Sequence, residues 1–323
     1  MKAVRLNPLP ELVTDLPCPI PAHGEALVKV SLCGICNTDL ELMRGYMDFR
    51  GIPGHEFVGV VVEENHQGDA GHTSLLGKRV VGEINAACGE CVYCLEGSPT
   101  HCQNRTVLGL LGRDGCMAEY LTLPIENIHH VPDTLSDETA VFAEPLAAAF
   151  KILDQVDIGK GQRAVVLGDG KLGLLCAMAL STTGAEVVLI GRHESKMAMV
   201  KPYGVRTWLS EGKIVRGDYD LVVEATGSSS GLEQAIPLVR PRGSIVLKST
   251  VADNKTIDLT PIVVNEISVL GSRCGRFEPA LEALSSGKMD PTPLIEAVYP
   301  IDDAVKAFEH AARKGALKVL VKF

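Results

Sequence analysis

Ala164-Val165-Val166-Leu167-Gly168-Asp169-Gly170-Lys171-Leu172-Gly173 decides the fold. Four apolar residues read as a buried strand, and Leu172 to Thr183 has the composition of a helix. Between them lies a G-x-G-x-x-G turn. Gly168 makes the turn, Gly170 admits a pyrophosphate and Gly173 lets helix and strand pack closely, with the phosphates at the helix N-terminus. Alone the pattern is common in turns, but between a strand and a helix it is specific for a dinucleotide-binding unit.

Downstream, strands alternate with helices. Glu186 to Ile190, Tyr219 to Ala225, Gly243 to Lys248 and Ile267 to Leu270 read as strands, with a helix from about Ser230 to Val239. Such alternation predicts a doubly wound parallel sheet, a Rossmann domain over 146–284, in an α/β protein. Upstream, Glu144 to Val156 has helical spacing, closed by Gly159-Lys160-Gly161. The end of the second strand selects the coenzyme. NAD calls for an acid there, some 20 residues past the loop. The chain instead has Gly191-Arg192-His193, with no carboxylate to repel a 2′-phosphate. Arg192 can pair with one and Lys196 can assist, so NADP is expected over NAD. Glu224-Ala225-Thr226-Gly227 ends the next strand, which places Thr226 at the cofactor crevice.

Residues 1–145 differ in character. Ala26 to Val30, Val58 to Val62 and Ala118 to Leu123 are short Val- and Tyr-bearing strands broken by Gly and Pro, the pattern of an irregular, partly open β-barrel. Two amphipathic helices, Phe277 to Ser286 and Asp302 to Arg313, precede a strand at Leu317 to Val321. The 323 residues carry a net charge of -9, are 46% hydrophobic and 22% charged, and include 32 glycines. The acidic balance argues against nucleic acid as a partner. No window approaches the roughly 20 apolar residues of a bilayer span, and the start has no apolar leader. A cytoplasmic location is expected, where ten cysteines stay reduced.

Cys88-Gly89-Glu90-Cys91-Val92-Tyr93-Cys94 followed by Cys102 is a C-x2-C-x2-C-x7-C pattern. Zinc takes four tetrahedral thiolates, and x2 spacing lets one loop wrap sulfurs around an ion. A shell closed by four thiolates is structural. A nucleic-acid zinc knuckle would need a basic stripe, whereas Glu90 and Glu96 lie in this segment.

A second metal site draws on Cys36 in Gly34-Ile35-Cys36-Asn37-Thr38-Asp39, His55 in Gly54-His55-Glu56, and Glu144 in Phe142-Ala143-Glu144-Pro145-Leu146. A thiolate, an imidazole and a carboxylate leave zinc a fourth position, as Lewis-acid catalysis requires. Singly, each residue reads equally well as a core thiol, a hydrogen-bonded histidine or a helix carboxylate. The remaining cysteines (Cys18, Cys33, Cys116, Cys176 and Cys274) read as core thiols, Cys33 being the one rival ligand.

These motifs, in this order over essentially the whole chain, resemble the zinc-dependent medium-chain alcohol dehydrogenases. The Glu-Pro-Leu context of Glu144 is similar to the sorbitol, threonine and glucose dehydrogenase branch. The resemblance implies a GroES-like catalytic domain (1–145 and 285–323), one catalytic and one structural zinc, and a homo-dimer or homo-tetramer. It implies that Cys36 and His55 hold the catalytic zinc, with Glu56 or Glu144 completing the shell directly or through water. Asp39 would hold the far nitrogen of His55, and Thr38 would take the proton of the alcohol. Where many members have a histidine at the outer end of a proton relay, this chain has Glu41. Segments 247–251 and 271–273 would flank the nicotinamide, with Arg273 contacting cofactor or substrate. Substrate walls are expected from Leu42 to Phe49 and Leu110 to Arg113. The expected activity is hydride transfer between a small-molecule secondary alcohol or polyol, or the matching carbonyl, and the nicotinamide. The rivals are a zinc-independent reductase of the same superfamily, which would lack Cys36, His55 and Glu144, and a non-catalytic scaffold or sensor.

Overall fold

The computed structural model describes residues 1–66, 73–210, 217–250 and 256–323. It divides into two compact units, Met1–Glu144 with Ala280–Phe323, and Pro145–Pro279.

The first unit opens with the antiparallel pair β1 (Ala3–Leu6) and β2 (Pro10–Val13). Then come β3 (Glu25–Gly34), the helix α1 (Asn37–Met43), β4 (Glu56–Asn65) and β5 (Arg79–Gly82). β6 (Asn85–Ala86), β7 (Thr106–Leu108) and β8 (Gly112–Arg113) make a small separate sheet, and β9 (Tyr120–Pro124) and β10 (Ile128–His130) follow. β3 organises this unit: it runs antiparallel to β4 along its length, with Gly34 opposite Glu56, while its first half pairs with β9. Its valines and leucines are buried, as β-branched residues on a covered sheet should be. β3 and β4 therefore deliver Cys36 and His55-Glu56 to the same end of the sheet.

The helix α2 (Ala143–Gln155) carries the chain into the second unit. There β11 (Arg163–Leu167), the helix α3 (Lys171–Ser181), β12 (Glu186–Gly191), β13 (Arg206–Leu209), β14 (Tyr219–Glu224), β15 (Val239–Leu247) and β16 (Ser268–Gly271) form a parallel sheet in the order β13-β12-β11-β14-β15-β16. This is the doubly wound order, whose reversal point lies between β11 and β14. Ala164 to Leu167 and Leu221 to Val223 are buried on both faces, which explains the unbroken apolar run. All residues of α3 from Gly173 to Leu180 are buried.

Two elements depart from expectation. β13 was not legible, and the helix expected over 230–239 is a short one at Gly231–Ala235 followed by a 3-10 turn at Ile236–Leu238. Pro237 lacks the amide a helix needs there, so β15 begins at Val239 rather than Gly243. Between Gly204 and Asp218 the chain is shorter than the family resemblance implies, which predicts a missing helix; residues 211–216 of that stretch lie outside the described ones.

The chain then returns to the first unit. β17 (Ile295–Pro300), the helix α4 (Ala304–Ala311) and β18 (Lys318–Lys322) complete a seven-stranded sheet in the order β10-β5-β4-β3-β18-β17, with β9 also on β3. β18 lies antiparallel to the second half of β3, Leu320 opposite Gly34. Among the described residues no helix is long and apolar enough to cross a membrane.

Candidate functional site

At the end of β3, Cys36 caps α1, and the N3 carboxylate of Asp39 accepts from the Cys36 amide at 2.8 Å. The same carboxylate accepts from the Gly54 amide at 3.2 Å, which ties the β4 approach to α1. Cys36, His55 and Glu56 thereby present a sulfur, a ring nitrogen and a carboxylate oxygen within 4.8 Å of one another. Asp39 is fully buried, and His55 Nδ1 faces it at 3.5 Å. That contact is long and leaves the buried ring nitrogen without a full hydrogen bond. Burial works against a protonated His55, yet the charges of Asp39 and Cys36 outweigh it and raise its pKa well above 6.5. The same negative surroundings would favour a bound dication. The donors (thiolate, imidazole, carboxylate) are those of an open zinc site. Thr38 Oγ1 lies 3.7 Å from Cys36 Sγ.

Lys318, from β18, enters this centre. Its ammonium donates to Glu56 Oε2 and sits 5.7 Å over the Phe142 ring. Both partners are buried. Burial alone would discharge Lys318, but Glu56, Cys36 and Glu144 raise its pKa and keep it charged. Glu144, in the first turn of α2, stands within electrostatic reach of Lys318 but outside the three-donor group.

The four clamp cysteines gather their sulfurs within 4.8 Å of one another. Cys88 and Cys102 are 3.5 Å apart, as are Cys91 and Cys94. A zinc tetrahedron with bonds of about 2.3 Å has edges of about 3.8 Å, so the cradle fits the ion. Amides of Glu90 and Cys91 donate to Cys88 and lower its pKa to about 6, whereas desolvation pushes Cys94 up to about 12. No cysteine among the described residues is disulfide-bonded.

In the second unit, Gly168 adopts a φ of 111° and leads through Asp169 to Gly170, the N-cap of α3. Gly173 packs against the Gly168 carbonyl so closely that a Cβ would collide with it. Lys171 and Leu172 open α3. β12 ends at Gly191; Arg192 is exposed and Lys196 half-buried just beyond. The expectation that no carboxylate stands at this strand end is corrected: Asp169 reaches across from the loop and accepts from the Arg192 and His193 amides at 2.7 and 2.6 Å. Thr226 donates through its amide and hydroxyl to the buried Glu224, at 2.8 and 2.6 Å. Lys248 pins Ala148, Ser272 and Arg273 through its ammonium. Arg273 itself is exposed, and Val251 lies outside the described residues.

Comparison with known proteins agrees with this architecture. Residues 22–133 match the alcohol dehydrogenase GroES-like domain, and residues 172–286 the zinc-binding dehydrogenase domain. The sorbitol dehydrogenase of Halalkalibacterium halodurans is 31% identical over 329 residues, covering 96% of this chain and 94% of the relative. The chain belongs to the zinc-type medium-chain alcohol dehydrogenase family. It is an oxidoreductase with a GroES-like domain and a Rossmann domain. A zinc-binding dehydrogenase from Sinorhizobium meliloti 1021, bound to NADP, superposes with a TM-score of 0.88 at 30% identity, covering 100% of this chain and 99% of that one. An alcohol dehydrogenase from Escherichia coli CFT073, complexed with NADH, does so at 0.89 and 26%, with the same coverage.

Two residues expected at the dehydrogenase's substrate site are otherwise engaged. Glu41, named as the outer relay group, pairs with Arg44 on the surface of α1. Arg113, named as a basic wall residue, is held by Glu25 at 2.7 Å and by the Thr122 carbonyl. Sequence reasoning missed Lys318, Asp169 and Lys248. Lys318 carried one available signal, a charged residue directly before the apolar run Val319-Leu320-Val321.

Proposed function

We propose that this dehydrogenase oxidises a secondary alcohol or polyol with NADP as the favoured coenzyme, and reduces the matching carbonyl in reverse. The observation that carries the reading is the convergence of Cys36, His55 and Glu56 in front of a buried Asp39. Cys36, His55 and Glu56 hold a catalytic zinc, and Cys88, Cys91, Cys94 and Cys102 a structural one. Glu144 acts from outside the three-donor group. Zinc held there would supply a Lewis acid that lowers the pKa of the substrate hydroxyl, and a bound nicotinamide would supply the hydride acceptor.

The chain's own residues do the rest. Asp39 orients His55, and Thr38 accepts a hydrogen bond from the substrate hydroxyl and passes its own proton outward to solvent, so that no extra proton stays on it. Lys318 holds Glu56 in place and keeps the charge of the pocket balanced. The first unit is the catalytic domain and the second carries the dinucleotide on Gly168, Gly170, Lys171, Leu172 and Gly173, with Thr226 and Arg273 beside it. Arg192, assisted by Lys196, meets the 2′-phosphate. Sorbitol as the substrate of a relative favours polyols in the first trials. The enzyme works in the cytoplasm as a homo-dimer or homo-tetramer, a state that light scattering on a sizing column reads directly.

A panel of polyols, sugars and secondary alcohols, followed by NADPH absorbance, tests the activity. Cys36→Ser should abolish turnover while the structural zinc and the folded state persist. Activity surviving that substitution would remove the catalytic-zinc assignment. Zinc-loaded protein inert across the panel would favour a scaffold.

A further inference from the structure

The strand-end acid that NAD enzymes carry on their second strand is missing here, yet a carboxylate occupies the same place. Asp169 belongs to the glycine loop, and its side chain crosses to the end of β12. A Cβ on Gly191 would stand 2.5 Å from Asp169 Cβ and 2.7 Å from its Oδ2. Gly191 is therefore the residue that makes room for Asp169. One carboxylate oxygen, Oδ2, receives the Arg192 amide at 2.7 Å, the His193 amide at 2.6 Å and His193 Nδ1 at 3.0 Å. Gly191 is fixed from the other side too, its carbonyl accepting from the Ser210 amide at 2.7 Å.

The side chain of Asp169 is only 11% exposed, while that of His193 is 47% exposed and Arg192 faces solvent. The carboxylate is spent inside the turn, and the turn presents the Arg192 side chain outward. Charge-assisted bonds of this kind are short and directional, so they set the backbone direction from which the Arg192 side chain departs.

We propose that Asp169 is a positioning residue for coenzyme selection, pinning the Gly191–His193 turn so that Arg192 meets the 2′-phosphate of NADP. The proposal rests on the NADP reading and adds to it the residue on which that selectivity depends. Asp169 contacts neither phosphate nor nicotinamide in this scheme. It acts through the turn, and Asn in the same volume keeps an acceptor for both amides.

The test is isothermal titration of the full-length, zinc-loaded protein with two adenosine fragments, 2′,5′-ADP and 5′-ADP, needing no turnover. Wild type should bind 2′,5′-ADP more tightly. Asp169→Ala should cut that preference about tenfold or more, the size of a lost bond to a charged group, with 5′-ADP affinity nearly unchanged. Asp169→Asn should keep most of the preference, which a merely structural lesion would not predict. If Asp169→Ala is insoluble, Asp169→Glu carries the test, since one added methylene displaces the turn and lowers the same ratio. An equal affinity of wild type for the two fragments overturns the NADP reading. A wild-type preference that survives Asp169→Ala or Asp169→Glu, or that rises in Asp169→Asn because a repelling charge is gone, overturns the role of Asp169 alone.

Discussion

Replacing Lys318 by Met isolates what its ammonium does at the metal centre. Met keeps the length and apolar stem of the side chain, so the lesion is electrostatic rather than a cavity. Lys318 and Glu56 are both about fully buried, and removing one partner of such a pair leaves an uncompensated charge, at a cost of about 3–5 kcal/mol. For a unit of roughly 190 residues, each kcal/mol moves the melting temperature by about 2–4 °C, so the first unit should melt about 6–20 °C lower. Glu56→Gln should cost less, because Lys318 retains Glu144 and Cys36 in electrostatic reach. The double substitution should then be more stable than Lys318→Met alone, since the stranded carboxylate is gone. Calorimetry on protein freed of exchangeable zinc, with the clamp zinc verified by metal analysis, reads all four corners of the cycle. Additive losses, or a Lys318→Met loss below about 1 kcal/mol, would refute the view that these two charges depend on each other.

Other outcomes follow from the same geometry. Glu56→Gln should lower the zinc content of the Cys36 centre more than Glu144→Gln, since only Glu56 stands in the three-donor group; metal analysis after dialysis decides, and the reverse order would move the third donor to Glu144. Cys94→Ser should release one zinc per chain and make 88–102 susceptible to proteolysis, while leaving the Cys36 centre loaded. For Asp169, burial alone raises the carboxyl pKa, but bonds from His193 and Arg192 overcome that and lower it below 3.8. Its contribution to stability is therefore complete above its unfolded pKa of about 3.9 and is lost as pH falls through the folded value. The stability gap between wild type and Asp169→Asn should narrow below about pH 4, and a gap constant across that range would count against the bonds. Arg192→Ala should weaken NADPH binding and spare NADH, measured by nicotinamide fluorescence.

What the sequence reveals here depends on how local each cause is. The glycine loop, the strand before it and the helix after it are contiguous, so the second unit was readable from ten residues. The cysteine clamp spans only Cys88 to Cys102, and its spacing is itself the geometry. Glu41 and Arg44 lie three apart at the end of α1, where Arg44 is the C-cap, and their pairing could have been anticipated. Lys318 and Glu56 are separated by 262 positions. No local pattern marks that contact, because it exists only once β18 lies beside β3. Asp169 was hidden differently: it occupies a variable position of the glycine motif, and its partners lie just past the end of the next strand. β13 escaped because Arg206-Thr207-Trp208-Leu209 lacks both a clear alternation and a continuous apolar run.

The placement of β18 beside the second half of β3, inside the sheet rather than at its edge, also orders events during synthesis. Until the residues of β18 have been added, β3 has one side of its Cys36-bearing end open and Glu56 lacks its cation. The second unit, complete by Pro279, can close while the first waits. The Cys36, His55 and Glu56 group thus reaches its final electrostatic setting only after β18 has joined the sheet, whereas the four clamp sulfurs can gather as soon as Cys102 has emerged.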